Sequence, residues 1–170
     1  MAKLKGHTVI ASAGGARKGA FLRDELGVDV VVDYKAELDL KKALRAAAPQ
    51  GIDVYFDNVG GAHLEAALSS ANTFARFAIC EMIGDYNATE APAGPRNIAT
   101  IVGKSLRLEG FIVGNHNDQR PAFEADLAAW HAAGKLVMKD TVVDGIERAC
   151  EAFLGLFTGN NIGKMVVKLG

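Results

Sequence analysis

The stretch from Gly51 to Gly61 constrains the fold of this chain more than any other. It begins as an apolar run with β-branched and aromatic residues, breaks at Asp57-Asn58, and ends in the pair Gly60-Gly61. A buried parallel strand that turns directly into a helix has this pattern. The helix that follows carries its apolar residues on one face: Leu64, Ala67, Leu68 and Ala71. Ligands of open α/β sheets lie beyond the carboxyl ends of the strands, so Asn58 is a candidate binding residue. Turn chemistry alone would also explain these residues.

The rest of the chain repeats this alternation of apolar and amphipathic segments. The expected strands lie near 8–12, 28–33, 51–57, 74–79 and 106–113, with helices between them and a helix from Pro121 to Gly134. A strand, helix and strand close the chain at 137–169. The pattern predicts an α/β fold, a Rossmann-like doubly wound and mostly parallel sheet with right-handed crossovers. Nucleotides are the usual ligands of such sheets.

Composition excludes several classes of function. The 170 residues carry a formal net charge of −1 and no basic run interleaved with aromatics, so neither nucleic acid nor a membrane is an expected partner. No apolar run approaches the ~20 residues of a membrane helix, and we expect a cytoplasmic protein. Cys80 and Cys150 lie far apart without metal-ligand spacing, so we expect no metal site and two cysteines packed as small hydrophobes.

The turn after the first expected strand is a candidate phosphate site. The dinucleotide fingerprint Gly-x-Gly-x-x-Gly is absent, and Ala13-Gly14-Gly15-Ala16 has the wrong spacing for it. After a second Rossmann strand, however, an NADP enzyme needs a cation for the 2′-phosphate. Gly14-Gly15 would open the turn and Arg17-Lys18 would occupy the first helical turn, where they could hold that phosphate. The alternative is that both cations are solvated surface residues.

Four segments together resemble one family. Residues 13–18, 33–35, 51–61 and 159–164 occur in the order and spacing of the zinc-independent medium-chain dehydrogenase/reductases. The chain is most similar to the branch that holds prostaglandin reductases, curcumin reductases and plant double-bond reductases. The resemblance covers essentially the whole chain and implies NADP as the cofactor.

The resemblance also assigns roles to residues of this chain. It implies that Lys18 binds the 2′-phosphate, that Tyr34 lies against the same end of the cofactor, and that Asn58 lies beside the pyrophosphate and ribose. It places the loop 80–86 along the nicotinamide half. With Gly14, Gly15 and Arg17 from the turn, the expected cofactor-binding set is Gly14, Gly15, Arg17, Lys18, Tyr34, Asn58, Cys80, Ile83, Gly84, Phe111, Ile112, Val113 and Asn161.

The implied reaction is reduction of the carbon-carbon double bond of a small-molecule enone or enal with NADPH. Hydride goes to the β-carbon, and hydrogen-bond donors stabilise the developing enolate without a metal. Tyr86 is the expected catalytic residue near the enolate or the nicotinamide ribose. It could equally be a tyrosine that packs in its loop.

The resemblance also implies how the chain is divided and assembled. Members of the family are longer, so we expect a fragment, inactive by itself, in which residues 1–135 form a truncated NADP-binding Rossmann domain lacking its first strand and glycine-rich loop. Residues 136–170 would belong to the catalytic domain. A homodimer is expected through the strand at 106–113, and the gap left by the first strand should close or be filled by another chain.

Two other interpretations stay open at this point. The chain could be a non-catalytic truncated Rossmann module that oligomerises or weakly binds nucleotide. A methyltransferase-like sheet is disfavoured, because no glycine-rich first turn or acidic ribose ligand is visible.

Overall fold

Helices and parallel strands alternate along the chain in the computed structural model, which describes residues 1–170. The strands are β1 (Ile10–Ala13), β2 (Val30–Asp33), β3 (Ile52–Asp57), β4 (Ala71–Ile79), β5 (Arg107–Gly110), β6 (Asp140–Asp144) and β7 (Lys164–Lys168). The helices are α1 (Ala16–Ala20), α2 (Leu40–Ala47), α3 (Gly61–Ser70), α4 (Thr100–Gly103), α5 (Arg120–Ala132) and α6 (Ala149–Thr158). A π-helical turn, Phe21–Glu25, continues α1. None of these helices is both long and apolar enough to cross a bilayer.

Every strand pairing is parallel, which confirms the expected α/β class. The strands form three separate sheets, β1-β2, β3-β4-β5 and β6-β7. In the first sheet Ala13 is paired with Asp33, so the ends of β1 and β2 lie side by side. In the second sheet Asp57 is paired with Ile79, and Ile79 with Gly110. The ends of neighbouring strands therefore carry the turns that hold the candidate residues.

The chain divides into two compact units. One consists of residues 1–36 together with 124–170, and the other of residues 37–123. The first unit contains the sheets β1-β2 and β6-β7 with α6, and the second contains β3-β4-β5 with α2, α3 and α4. The expected domain boundary at residue 135 stays a prediction.

The core of the 37–123 unit lies between α3 and the sheet. Its buried members are Leu64, Ala67, Leu68, Ala71, Ala75, Phe77 and Leu106. Leu64, Ala67 and Leu68 lie on the inner face of α3 as expected. Ala71, the fourth residue expected on that face, is also buried, but it begins β4 because the helix ends at Ser70. Phe77 and Leu68 are the largest apolar side chains with almost no exposure, and each contributes about 2 kcal/mol of burial free energy.

The opposite side of β3 is exposed, which corrects the expectation of a fully buried strand. Val54 and Phe56 are each 58% exposed, whereas Asp57 is buried and Tyr55 is half-buried. Successive side chains of a strand point to opposite faces, and α3 covers only one of them. The side chains of β3 therefore alternate between one face that packs against the core and one face that is open to solvent.

Two expectations about α6 and the cysteines also need correction. The helix forms where predicted, but its apolar residues Phe153, Leu154 and Phe157 are more than half exposed, and the two phenylalanine rings contact each other at 5.4 Å. Cys150 on this helix and Cys80 after β4 are both exposed free thiols. Their expected burial is wrong, because Cys80 begins a loop and Cys150 lies on an open part of α6.

Candidate cofactor site

The turn after β1 is fixed by a carboxylate at the end of β2. Asp33 accepts a hydrogen bond from the backbone N–H of Gly15 at 2.9 Å and another from that of Lys35 at 3.1 Å. These bonds lower the pKa of Asp33, chiefly through Gly15. Because Asp33 is paired with Ala13, the carboxylate reaches the neighbouring turn directly. The ends of β1 and β2 are thereby joined into one local structure.

Gly14 lies directly under two side chains that follow β2. A Cβ on Gly14 would be 2.8 Å from Lys35 Cε and 2.9 Å from the Tyr34 hydroxyl oxygen. A larger residue at position 14 would displace both side chains. The structure therefore brings the predicted residues Gly14, Gly15 and Tyr34 together. It adds Lys35, a member of the segment 33–35 for which the sequence pattern predicts no role.

Lys18 lies close to this turn, together with the cations Lys35 and Arg17. The pKa of Lys18 is lowered because the side chain is partly desolvated and because the positive charges of Lys35 and Arg17 are close. These three residues form what we call the cationic cluster: Arg17, Lys18 and Lys35. A bound phosphate would relieve the repulsion within the cluster. Such repulsion is unfavourable in the protein by itself, and it makes the cluster a candidate site for an anion.

The turn between α6 and β7 lies against the same cluster. The Arg17 guanidinium donates a hydrogen bond to the backbone carbonyl of Asn160. The Lys18 ammonium nitrogen lies 3.2 Å from where a Cβ of Gly159 would be. The predicted residue Asn161 follows at once and donates its side-chain amide to the Gly163 carbonyl at 2.8 Å. All of these residues belong to the unit formed by 1–36 and 124–170.

In the 37–123 unit, Asp57 shapes the turn that carries Asn58. The Asp57 side chain is 1% exposed, and its Oδ1 accepts hydrogen bonds from the N–H groups of Val59 at 2.8 Å and Gly60 at 2.9 Å. Burial, and then the nearby Asp57 charge, raises the pKa of Tyr55 far above its usual range. Asn58 itself is exposed at the tip of the turn. Asp57 is therefore a structural residue, a role that the pattern of the segment 51–61 does not predict by itself.

The loop 80–86 is bonded to this turn along its length. Backbone N–H groups of Cys80, Ile83 and Gly84 donate to the carbonyls of Asp57 at 2.8 Å, Asn58 at 3.1 Å and Val59 at 3.0 Å, respectively. A Cβ on Gly84 would lie 2.8 Å from the Val59 carbonyl oxygen. The structure thus brings the predicted residues Asn58, Cys80, Ile83 and Gly84 together.

Tyr86 ends this loop and is 63% exposed. Its hydroxyl donates to Oε1 of Glu81 at 2.7 Å, and this hydrogen bond to a carboxylate raises the pKa of Tyr86. The phenol therefore stays protonated and can act as a hydrogen-bond donor. Its position on an exposed loop leaves the O–H accessible.

The last predicted group, Phe111, Ile112 and Val113, lies beyond the end of β5. The expected strand 106–113 is shorter in the structure, because β5 ends at Gly110 and a 3₁₀ segment, Val113–Gln119, begins three residues later. Phe111 packs between the rings of Phe56 at 6.1 Å and His116 at 5.8 Å. Ile112 and Val113 are exposed. A cavity of about 480 Å³ lies beside Phe111 and Val113 on the open face of the sheet.

Comparison with known proteins shows a family match over most of the chain and relatives along nearly its whole length. The family described as zinc-binding dehydrogenase matches residues 1–130. The chain belongs to this family. An NADPH-dependent curcumin reductase from Escherichia coli is 39% identical over 98% of this chain and 50% of its own length. Prostaglandin reductase 1 from Rattus norvegicus is 41% identical over 99% of this chain and 51% of its own length.

Comparison with a solved structure shows that the similarity extends from the sequence to the fold. CurA from Vibrio vulnificus, crystallised in complex with NADPH, is 40% identical and superimposes with a TM-score of 0.90 over 99% of this chain and 51% of its own. The resemblance to the curcumin and prostaglandin reductase branch is confirmed. The chain spans about half the length of the relatives it matches.

The family description names zinc, but the residues of this chain do not fit a zinc site. No group of three or more histidine, cysteine, aspartate or glutamate side chains is placed to hold a metal ion. A protein zinc site takes at least three such ligands. We therefore assign no chemical role to a metal here.

Proposed function

We propose that this chain is the cofactor-binding part of an NADPH-dependent oxidoreductase that reduces the carbon-carbon double bond of α,β-unsaturated carbonyl compounds. The observation that carries the proposal is the cationic cluster at the Gly14-Gly15 turn, where the Lys35 side chain lies over Gly14 and the Lys18 ammonium lies beside Gly159. Desolvation, and then the charges of Lys35 and Arg17, lower the pKa of Lys18. A curcumin reductase, prostaglandin reductases and a 2-alkenal reductase among the relatives support the reaction class.

The cluster fits the 2′-phosphate that distinguishes NADPH from NADH. Lys18 and Lys35 supply two ammonium groups, and the Tyr34 hydroxyl lies beside Lys35 over Gly14. The absence of a side chain at Gly14 and Gly15 lets an adenosine ribose approach the backbone. Asp33, the carboxylate at the end of β2, uses its Oδ1 to accept the N–H groups of Gly15 and Lys35 and so shapes this turn.

Asn58 and the loop 80–86 are proposed to bind the nicotinamide half. NADPH supplies the hydride when it is bound. Asn58 presents an exposed amide next to a rigid turn, and Tyr86 presents a protonated hydroxyl whose pKa is raised by Glu81. We assign Tyr86 to donate a hydrogen bond to the enolate oxygen or the nicotinamide ribose, exchanging Glu81 for that acceptor. A nicotinamide pocket requires apolar surface, and we assign this surface to Phe111, Ile112 and Val113.

Three finer statements belong to the same proposal. Residues 1–135 would form the truncated Rossmann domain and residues 136–170 the segment of the catalytic domain. The free edge of β5, the last strand in the order β3-β4-β5, would pair with a second copy to give a homodimer. A cytoplasmic location agrees with the use of NADPH.

The test is a comparison of two cofactors on the 170-residue chain. We expect titration calorimetry to show NADPH bound more tightly than ~1 mM and more tightly than NADH. Lys18→Ala should weaken NADPH about tenfold to a hundredfold, since a hydrogen bond between charged groups contributes about 1.5 to 3 kcal/mol, and should leave NADH unchanged. The matched control is Lys42→Ala, which removes an exposed lysine of α2. Equal effects on both cofactors would contradict the phosphate assignment.

A second candidate function is a non-catalytic module that oligomerises or weakly binds nucleotide. The exposed apolar residues Val54 and Phe56 of β3 favour it, since an open sheet face promotes association. The two functions differ in turnover. Oxidation of NADPH in the presence of a simple enone, by the longest natural chain that contains these residues, supports the reductase, and its absence supports the module.

A further inference from the structure

Arg17 differs from the other two members of the cationic cluster because it is bonded to main chain. Its guanidinium donates to the Asn160 carbonyl, in the turn that joins α6 to β7. The side chains of Lys18 and Lys35 lie beside Gly159 and Gly14, respectively. The donor group of Arg17 that faces this turn is therefore already occupied.

The turn 159–163 is held mainly by hydrogen bonds to α6 and β6, and Arg17 provides its hydrogen bond to α1. Gly159 adopts a left-handed conformation with φ of +75°, and Asn160 closes the helix by donating to the Gly155 carbonyl at 3.0 Å. On the other side the turn is attached to β6, because the Thr141 hydroxyl donates to the Ile162 carbonyl and accepts from the Ile162 N–H, both at 2.9 Å. Arg17 supplies an attachment of the same turn to α1.

The hydrogen bond between Arg17 and Asn160 connects the segments that carry two predicted cofactor-binding residues, Lys18 and Asn161. Lys18 follows Arg17 in α1, and Asn161 follows Asn160 in the turn. A hydrogen bond between Arg17 and Asn160 fixes the distance between their neighbours. If it broke, the turn 159–163 would keep its hydrogen bonds to α6 and β6 but would lose this bond to α1.

We infer that Arg17 is a positioning residue: it holds the turn 159–163 against α1, so that Lys18 and Asn161 face one cofactor, and it does not itself select the 2′-phosphate. The inference rests on the proposed function for its consequence in binding. The structural part, the attachment of the turn to α1, stands independently of any cofactor. Arg17 therefore affects NADPH and NADH alike.

Four variants separate this role from a direct phosphate contact. Arg17→Met removes both the charge and the donor, Arg17→Gln keeps a neutral donor for the Asn160 carbonyl, and Arg17→Lys keeps charge and donor. Arg23→Met removes an exposed arginine that pairs only with its neighbour Asp24, and it serves as the matched control for charge. Urea unfolding of each variant verifies that the folded protein is compared.

We expect Arg17→Met to weaken NADPH and NADH by the same factor, about threefold to tenfold, which is the range for one exposed hydrogen bond. Arg17→Gln and Arg17→Lys should restore most of the affinity, and Arg23→Met should change nothing. Loss of NADPH affinity alone would show that Arg17 contacts the phosphate and would overturn the inference. Failure of Arg17→Gln to restore affinity would assign the effect to charge and would also overturn it.

Hydrogen exchange gives a readout that does not depend on a cofactor. In Arg17→Met the N–H of Asn160 should exchange about threefold to tenfold faster than in the unsubstituted chain, while amides of β4 stay unchanged. Unchanged exchange at Asn160 would overturn the inference. If the unsubstituted chain bound neither cofactor, the proposed function would fail, and the exchange result alone would then decide whether Arg17 holds the turn.

Discussion

The protonation of Lys18 and the binding of a phosphate at the cationic cluster are expected to be linked. Its pKa lies below the ordinary lysine value because of desolvation and of the charges of Lys35 and Arg17. A phosphate binds the protonated ammonium, so binding must draw the pKa of Lys18 back up. The affinity for a phosphate-bearing cofactor should therefore depend on the protonation of Lys18.

We predict that the preference for NADPH over NADH falls as pH rises through the lowered pKa of Lys18. Below that pKa the ammonium is charged and the preference is fully present; above it the neutral amine contributes much less. Lys18→Arg should reduce this pH dependence, because a guanidinium stays charged throughout while the Lys35 ammonium is unchanged. The measurement is the ratio of the two dissociation constants between pH 7 and 10, and an identical slope in both proteins would refute the prediction.

Asp57 governs the second binding turn at the same scale. Its buried Oδ1 accepts two backbone hydrogen bonds, from Val59 and Gly60. Asp57→Ala leaves both donors without this acceptor, and we expect it to lower the free energy of unfolding by about 3 kcal/mol. Asp57→Asn keeps a carbonyl oxygen in place, and the loss should be about 1 kcal/mol. Urea unfolding measures both, and equal losses would show that the charge matters more than the acceptor.

At the scale of elements, the loop 80–86 depends on a close approach to the Asp57 turn. Gly84 has no room for a Cβ, which would lie 2.8 Å from the Val59 carbonyl oxygen. That contact lies at one end of the surface assigned to the nicotinamide half. A side chain at position 84 would therefore push the loop away from Asn58.

We predict that Gly84→Ala weakens NADPH binding about fivefold to a hundredfold, because relieving such an overlap costs about 1 to 3 kcal/mol. Gly94→Ala is the matched control: nothing lies within 4 Å of its Cβ position, and it is also a loop glycine of the 37–123 unit. Calorimetric titration of both variants checks the prediction. Equal affinities for the two variants would show that the loop position does not control binding.

Elements also show what could be predicted from sequence. The inner face of α3 was predicted correctly because periodicity is a local property, and Gly14, Lys18 and Asn58 were singled out because their turns have local signatures. The exposure of Val54, Phe56 and Cys150 could not be read in this way, because burial depends on which elements cover a face. Lys35 was passed over because its role arises from parallel pairing, which brings Asp33 beside Ala13.

The expected strand 106–113 illustrates a boundary error of the same origin. Its apolar residues continue to Val113, but pairing with β4 stops at Gly110, where it reaches the end of β4 at Ile79. Strand length is set by the neighbour as well as by the strand's own sequence. The roles of the individual cofactor residues stay predictions.

At the scale of the whole molecule, the open edge of β5 and the apolar residues beyond it favour association between copies. We predict that the chain is a dimer at micromolar concentration by light scattering, and that Ile112→Lys shifts it toward monomer, because a charge among the apolar residues just beyond β5 opposes their burial between two copies. Val102→Lys is the control: Val102 is 84% exposed and Ile112 71%, but Val102 lies on α4. A monomeric unsubstituted chain, or equal effects of both substitutions, would refute pairing through this strand.

One of the two compact units is assembled from both ends of the chain, with residues 1–36 joined to 124–170 by contacts such as the ion pair of Lys5 with Asp126 at 2.7 Å. Residues 37–123 are continuous in sequence, whereas the other unit joins two segments that this whole stretch separates, so its contacts close a long loop. The entropy lost on closing a loop grows only slowly with loop length. An insertion in the exposed loop 88–94 should therefore have little effect on the unit formed by 1–36 and 124–170.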